Sequence, residues 1–588
     1  MNIDILLTLL TSVLVVVGMV YNRWPPEWLV MAAVAFLIAV GILTPAAALH
    51  GFSNSGMLTV GALYVVAAGV QETGALRFIT DRVLGRPNST QKALLHLMPF
   101  TSVISAFLNN TPIVAMMMGV VQGWARKFNL PVSRLLLPLS YAAILGGTLT
   151  LIGTSTNLVV NGLLQSTLHM PGLHLFAIFP VGLAVLIVGT VWMLLFGWRL
   201  LPERKGLLGS LEEAREYSVV MCVEPKGALD NVSIHAGKLR QLANGFLAEI
   251  EREGKLLASV NPDTVIQSGD RLLFVGSAQC AQEVSAIKGL SVDGQAALDL
   301  EKHERQFVEV VLSPNSPLVG NTIKKANFRS RYQAIVLAVS RNGQRVEDKP
   351  GSIVLKVGDT LLLDAKSDFE SCYRHSAEFL LVSLLGKSEK SANAKRAPLA
   401  LFLLVAMIVI HLLGWISMVG AAIIAAVLMV FTGCLKAERA AKSINGSVLI
   451  VIAGALAIGH AITSTGAASW VAAHIIDVAG NSPWLALALV YIVTAIFTEI
   501  ITNNAAAVLM FPIGLALSHK LGINVMPFAI AIMFAASASF LTPLGYQTNL
   551  MVYGPGGYRL VDYFKAGLPM AILIAITSIL VIPCFFPF

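Results

Sequence analysis

Thr498-Glu499-Ile500-Ile501-Thr502-Asn503-Asn504-Ala505 is a polar knot inside a long apolar region, and between Asp477 and His519 its Glu499 is the only charged side chain. A helix in hydrocarbon has no reason to carry three consecutive polar residues at its centre unless something polar is handled there. The knot recurs near the other end of the chain. Ser105-Ala106-Phe107-Leu108-Asn109-Asn110-Thr111-Pro112 aligns with it, Ser105 on Thr498, Asn109 on Thr502, Asn110 on Asn503 and Thr111 on Asn504. Matching interruptions in two hydrophobic halves are the sequence mark of a secondary transporter built from repeats, with its site where the repeats meet.

Composition agrees. Of 588 residues, 56% are hydrophobic and only 13% charged, and the mean hydropathy is +0.74, values of a polytopic helical membrane protein. Most of the charge lies in the middle third. The chain therefore divides into a first membrane repeat at 1–202, a soluble insert of two small modules at 203–295 and 296–392, and a second membrane repeat at 393–588. The net charge of +8 is read as Lys and Arg in cytoplasmic loops, and not as a nucleic-acid footprint. Five scattered cysteines (222, 280, 372, 434 and 584), with no Cys-x-x-Cys, exclude a disulfide framework or zinc motif. The run Ile5–Val20 lacks a basic leader and a small-residue cleavage site, so it reads as a retained helix.

Along the first repeat, spans fall at about 4–20, 26–44 and 53–76. From Ala93 to Ala125 no charged residue occurs, and Asn109-Asn110-Thr111-Pro112 sits at the middle, with neither half comfortably long enough to cross. A re-entrant hairpin with the knot at its tip fits, because irregular backbone at depth must face protein or water. The run Leu135–Met170 is broken by the stretch Gly146-Gly147-Thr148 through Gly153-Thr154-Ser155-Thr156-Asn157-Leu158, and a last span follows at about 173–200. The second repeat has spans at about 398–414, 416–434 and 446–467, the second hairpin, a broken helix carrying Thr542-Pro543-Leu544-Gly545-Tyr546-Gln547-Thr548-Asn549-Leu550, and a final span at about 566–585. Here the halves agree again: Gly153-x-x-Thr156-Asn157-Leu158 matches Gly545-x-x-Thr548-Asn549-Leu550, and Thr150 matches Thr542.

Arg77, Arg82, Arg86, Lys92, Arg126, Lys127 and Arg134 flank the base of the first hairpin, against Lys520 and Asp477 at the second. The first hairpin should open to the cytoplasm and the second outward, which makes the repeat an inverted one. Arg199, Arg204, Lys205, Lys387, Lys395 and Arg396 place the insert in the cytoplasm of a cell-membrane protein. Within the insert, Val260-Asn261-Pro262-Asp263-Thr264 leading to Ser268-Gly269-Asp270-Arg271 parallels Lys349-Pro350-Gly351 leading to Val357-Gly358-Asp359-Thr360. Gly-Asp fits a tight turn feeding a buried strand.

Amides, hydroxyls and carbonyls at a helix break supply hard oxygen ligands for a cation such as sodium. A half-helix starting at a tip points its N–H groups and positive dipole end at an anion. No Arg or Lys lies between Ala93 and Ala125, Leu135 and Gly172, Val478 and Ser518, or Leu521 and Tyr558, so dipoles, amides and co-bound cations must neutralise the anion. Glu499 reads as a structural hydrogen-bonding residue behind the tip ahead of a proton-coupling acid, which favours sodium. His411, His460 and His474 read as polar packing, Trp24, Trp28 and Trp484 as interfacial anchors, Met116-Met117-Met118 as core filling, and Gly459 and Gly466 as close-packing positions. No nucleophile–base pair or metal-ligand cluster marks an enzyme.

These residues resemble a known family. Ser105-x-x-x-Asn109-Asn110-Thr111 and Thr498-Glu499-x-x-Thr502-Asn503-Asn504 are similar to the paired Ser-Asn-Thr signatures of the divalent anion–sodium symporters of the ion transporter superfamily. The Gly146-Gly147-Thr148 to Asn157-Leu158 stretch is similar to that family's Gly-Gly-Thr…Gly-Thr-x-x-Asn-Leu. The resemblance implies a homodimer whose transport domain slides against a scaffold, an elevator, with two sodium sites. The first would use Ser105, Asn109, Asn110, Gly153, Thr154 and Asn157, the second Thr498, Thr502, Asn503, Thr542, Gly545 and Asn549. Asn109, Asn110, Thr111, Thr502, Asn503 and Asn504 would contact the anion. The family's serines are Asn109 and Thr502 here, its second threonine is Asn504, and its Thr-Pro-Pro-Asn is Thr154-Ser155-Thr156-Asn157 and Tyr546-Gln547-Thr548-Asn549. The insert modules, strongest over 306–367 with Ser316-Pro317-Leu318-Val319-Gly320-Asn321-Thr322-Ile323 and Asn327-Phe328-Arg329-Ser330-Arg331-Tyr332, resemble TrkA-C (RCK-C) ligand-sensing domains and imply a small regulatory ligand. With the Gly-Tyr-Gln-Thr-Asn break, the whole is similar to sulfate-type permeases of microbes and algae. The implied cargo is sulfate with sodium; the alternatives are a di- or tricarboxylate, or an ion channel regulated by the insert.

Overall fold

The computed structural model describes the chain except residues 1, 22–23, 76–82, 129, 169, 171, 204–217, 240–241, 243–244, 253–254, 257–262, 277–282, 293–304, 314–315, 342–343, 347, 349, 367–368, 374–375, 377, 386–393 and 544. The basic positions Arg77, Arg82, Arg204, Lys205 and Lys387, the turn residues Asn261, Pro262 and Lys349, Cys280, Leu544, and the expected module boundaries near 295 and 392 lie outside the described residues. Two compact units emerge, residues Met1–Arg204 together with Ser388–Phe588, and residues Lys205–Lys387.

The first unit is helical. Helix starts follow local chemistry: Asn54 caps the amides of Gly56 and Met57, Ser89 that of Lys92, Asn445 that of Val448 and Ser482 that of Leu485, while Pro26, Pro45, Pro483 and Pro527 sit in first turns, where a missing N–H costs nothing. Among the described residues five helices are long and apolar enough to cross a bilayer: Phe179–Leu200, Gly446–Ser464, Pro483–Ile500, Asn503–Leu521 and Leu560–Phe585. Pro45–Ser53 and Ser55–Glu72, bent by 41°, make a sixth if they form one span.

Helices pack in like pairs. Thr90–Ser105 lies on Leu136–Gly147, and Pro483–Ile500 lies on Met526–Ser537. Gly146 lets the first pair close: a Cβ there would overlap the backbone of Ser102. Pro26–Ala39 packs on Gly446–Ser464, and their shared core holds Val30, Val34, Leu37, Ile458 and Ala461.

The arms of the first hairpin are Thr90–Ser105 and Asn110–Lys127, 16 and 18 residues. At 1.5 Å per residue these reach about 24–27 Å, short of the roughly 30 Å of a bilayer core, and neither is among the helices long and apolar enough to cross it. Several expectations need correction. The span placed at 446–467 ends at Ser464. Gly466, with φ +78° and open space around it, turns the chain into a further helix, Ala467–Ala479, and is a turn glycine, not a packing one. The final helix begins at Leu560, where the Asp562 carboxylate accepts from the Arg559 backbone amide at 2.7 Å, and not at about 566.

The second unit holds two five-stranded antiparallel sheets. The first contains β1 (Ser218–Val223), β2 (Gly245–Arg252), β3 (Lys255–Leu256), β4 (Arg271–Gly276) and β5 (Leu290–Val292), in the order β3-β2-β4-β1-β5. The second contains β6 (Arg305–Leu312), β7 (Ala334–Arg341), β8 (Gln344–Arg345), β9 (Thr360–Lys366) and β10 (Phe379–Leu385), in the order β10-β6-β9-β7-β8, the same topology read from the other edge. The details repeat as well. Arg252 grips Asp270 with two hydrogen bonds of 2.8 Å, and Arg341 grips Asp359 at 2.8 and 2.7 Å. Gly269 and Gly358, at φ +83° and +77°, form the turns that aim these buried carboxylates. Its hydrogen bonds to the Asp359 carboxylate hold the Arg341 guanidinium above its already high ordinary pKa.

Candidate functional site

The first polar knot lies between two helices, Asn110 opening the second. Ser105 Oγ donates to the Ala143 carbonyl at 2.8 Å, across to the helix that precedes the first break. The Asn110 side chain is buried, and the orientation of its amide that satisfies every neighbour points the nitrogen at Ser105 Oγ (2.7 Å), the Ala143 carbonyl (3.0 Å) and the Gly153 carbonyl (3.3 Å). Helix Leu136–Gly147 then stops, and the chain runs irregularly through 148–154 before helix Ser155–Leu168. Asn157 ties this break together, its amide nitrogen donating to the carbonyls of Thr150 (3.0 Å) and Gly147 (3.3 Å). Thr150 Oγ1 donates to the Ala106 carbonyl, joining break to tip.

The second half repeats the arrangement at the same internal spacings. Thr498 Oγ1 donates to the Ala536 carbonyl at 2.6 Å, 38 residues on, as Ser105 does. Asn549 donates to the carbonyls 10 and 7 residues before it, Ser539 (3.0 Å) and Thr542 (3.3 Å), as Asn157 does. One group has no counterpart. The Glu499 carboxylate, at the position of Ala106 in the first half, accepts from the amides of Phe540 (2.8 Å), Leu541 (2.9 Å) and Thr542 (3.0 Å) and from Thr542 Oγ1 (2.8 Å). It anchors the longer break at 538–546, where helical bonding is lost.

Each tip bonds to the break of the opposite half. The Tyr546 hydroxyl donates to the Asn110 amide oxygen at 2.6 Å, and Thr111 Oγ1 donates to Gln547 Oε1 at 3.3 Å. In reverse, Ser155 Oγ donates to Asn504 Oδ1 at 3.0 Å. Thr154 and Tyr546, equivalent residues of the two breaks, lie 3.3 Å apart, so the halves touch at matching points. Deeper contacts cross too: Thr156 to Ser537 at 2.6 Å, Ser140 to Asn549 at 2.7 Å and to Thr548 at 2.9 Å, and Tyr141 to the Phe540 carbonyl at 2.7 Å.

Most of the expected site residues thus fall into three sets. Ser105, Asn110 and Gly153 share one polar cluster. Thr498, Thr542, Gly545 and Asn549 gather around the second break, where the Gly545 amide donates to Thr542 Oγ1 at 3.0 Å. Thr111, Thr154 and Asn504 join the halves. Asn109, the residue before the first tip helix, and Asn503, the first residue of the second, are half-buried; Thr502 caps that helix through the Ala505 amide (3.4 Å) and is otherwise exposed. Asn157 serves as a staple of the first break. Tyr546, Gln547, Ser155 and Ser140 were missed. Their signal was available for Tyr546 and Gln547, which stand where the resembled family has other residues. The site carries no Lys or Arg, and its single carboxylate is engaged by backbone amides.

A family model described as citrate transporter matches residues 12–473 and again 458–588. The chain belongs to the citrate transporter family. This membership makes it an integral membrane transporter of the ion transporter superfamily, and not an enzyme, and agrees with the resemblance to the divalent anion–sodium symporters. Similar proteins extend along almost the whole chain. A Chlamydomonas reinhardtii protein provisionally named a sulfur deprivation response regulator is 36% identical, over 93% of this chain and 96% of its own length. An uncharacterized transporter of Synechocystis is 33% identical over 95% of this chain and 94% of its own. Sodium/sulfate cotransporter 2 of Chlamydomonas reinhardtii is 27% identical over 94% of this chain and 86% of its own.

Proposed function

We propose that this member of the citrate transporter family is a sodium-coupled symporter of a small divalent oxyanion, sulfate foremost. The observation that carries the reading is the reciprocal bonding of each polar tip to the break of the other half, which puts a neutral cluster of amides, hydroxyls and carbonyls at the junction of two like halves. Carbonyls of interrupted helices suit sodium, and helix N-termini with amides suit an anion. The names of the relatives, sodium/sulfate cotransporter among them, favour the same cargo.

On this reading Ser105, Asn109, Asn110, Gly153, Thr154 and Asn157 serve one sodium ion and Thr498, Thr502, Asn503, Thr542, Gly545 and Asn549 another, with Asn109, Asn110, Thr111, Thr502, Asn503 and Asn504 toward the anion. The repeat is inverted, the hairpins re-entrant, and the transport domain of a homodimer moves as an elevator. The insert lies in the cytoplasm as two TrkA-C-like domains that bind a small regulatory ligand. The description of the family favours a second reading, a di- or tricarboxylate as cargo. Radiolabelled sulfate uptake into proteoliposomes with and without a sodium gradient tests the coupling, and uptake indifferent to sodium would sink it. Competition by thiosulfate, phosphate, succinate and citrate separates the two cargoes.

A further inference from the structure

Tyr546 stands apart from every other group at the junction. The tips and breaks otherwise meet through short side chains, Asn110, Thr111, Thr154, Ser155 and Asn504, whereas position 546 carries a phenol where the equivalent residue of the first half is Thr154. The ring is buried (5% exposed), while Thr111 beside Asn110 is half-buried and Gln547 is exposed. The phenol therefore lies beneath more exposed polar groups, Thr111 and Gln547, which bond to each other at 3.3 Å. Its hydroxyl reaches the first tip at 2.6 Å and the first break at 3.3 Å, so one side chain closes the space between both halves.

We infer that Tyr546 sets the size of the anion that the site accepts, its ring excluding a carboxylate pair separated by a carbon chain and its hydroxyl donating to a compact tetrahedral oxyanion. The inference rests on the reading of this junction as an anion site. A phenol has a single proton. With the site empty that proton goes to the Asn110 amide oxygen; with an anion bound it turns to the anion, and Asn110 keeps its other contacts to Ser105 and the Ala143 and Gly153 carbonyls. The ring meanwhile occupies room that a threonine would leave open.

The test is sodium-driven sulfate uptake by the full chain in proteoliposomes, with succinate as competitor. The native protein should take up sulfate and ignore a tenfold excess of succinate. Tyr546→Phe keeps the ring and loses the donor; its sulfate KM should rise about tenfold, equal to about 1.4 kcal/mol, at a nearly unchanged maximal rate. Tyr546→Thr, which copies Thr154, should admit succinate as an inhibitor; if it does not accumulate folded, Tyr546→Leu opens the same room and takes its place. Native uptake of sulfate together with an unchanged KM in Tyr546→Phe and continued exclusion of succinate in the smaller variants would overturn this inference alone. No sulfate uptake by the native protein would overturn the anion reading and this inference with it.

Discussion

The two breaks use the same staple and differ in what holds the chain beside it. In the first half the break is short: Thr148 and Leu149 still bond back to the Leu145 and Gly146 carbonyls, and Thr150 reaches the tip. In the second half Ala538 and Ser539 likewise bond back, to the Ala535 and Ser537 carbonyls, but the next three amides, of Phe540, Leu541 and Thr542, turn to the Glu499 carboxylate. A break tied to its tip by one hydroxyl on a backbone carbonyl and a break whose amides converge on a side-chain carboxylate are two solutions to the same requirement, irregular backbone inside a buried helix. The comparison explains why Glu499 is present once, at the position of Ala106. It also gives the acid a structural role and makes a proton-relay role unnecessary.

The largest effect should come from Glu499→Ala, which leaves three part-buried amides and a hydroxyl without their acceptor. A loss on the order of 3–5 kcal/mol should appear as failure to accumulate a monodisperse peak on size exclusion. Glu499→Gln, which keeps one acceptor oxygen, should recover part of it. If Glu499→Ala melts at the native temperature, the second break does not depend on the carboxylate.

Next come the tip asparagines. Asn110→Ala and Asn503→Ala should both abolish sodium-driven uptake. Asn110→Ala should lower the melting temperature more, because Asn110 is buried among four partners while Asn503 is half-exposed at a helix start with Tyr546 as a side-chain partner. Equal melting losses in the two variants would erase the distinction.

A smaller effect separates the staples. Asn549 uses both ends of its amide, with Ser140 donating to its oxygen at 2.7 Å, while Asn157 bonds the break through its nitrogen and its oxygen is buried without a partner. Asn549→Ala should therefore cost roughly 1 kcal/mol more than Asn157→Ala in denaturant or thermal unfolding. The reverse order would mean that the first break is the more demanding one. Smallest of all, Arg252→Ala and Arg341→Ala should loosen β4 and β9 by similar amounts, about 1–2 kcal/mol after solvent screening of half-exposed guanidinium groups. Hydrogen exchange at the two strands measures this, and a one-sided response would break the equivalence of the two sheets.

Much of this was legible in the sequence. The partition into membrane, insert and membrane follows from hydropathy, and the four polar interruptions, in register across 393 positions at Ser105 and Thr498, follow from side-chain type alone. The second Gly-Asp turn at Gly358-Asp359 and its copy at Gly269-Asp270 were legible for the same reason, since a left-handed glycine before a buried acid is a local device. Helix ends were less legible. Gly466 reads as a packing glycine in an apolar run, and its φ of +78° makes it a turning one.

The sequence by itself determined that this chain crosses a membrane, that the same two polar motifs recur toward its two ends, and which residues make them, because hydropathy and side-chain chemistry are properties of short stretches. Only the tertiary structure decided that Asn110 meets Tyr546 and Asn504 meets Ser155, 436 and 349 residues away. It likewise decided that the lone carboxylate serves the backbone. Such pairings arise from how one half packs against the other, and no local pattern encodes a partner that lies across the molecule.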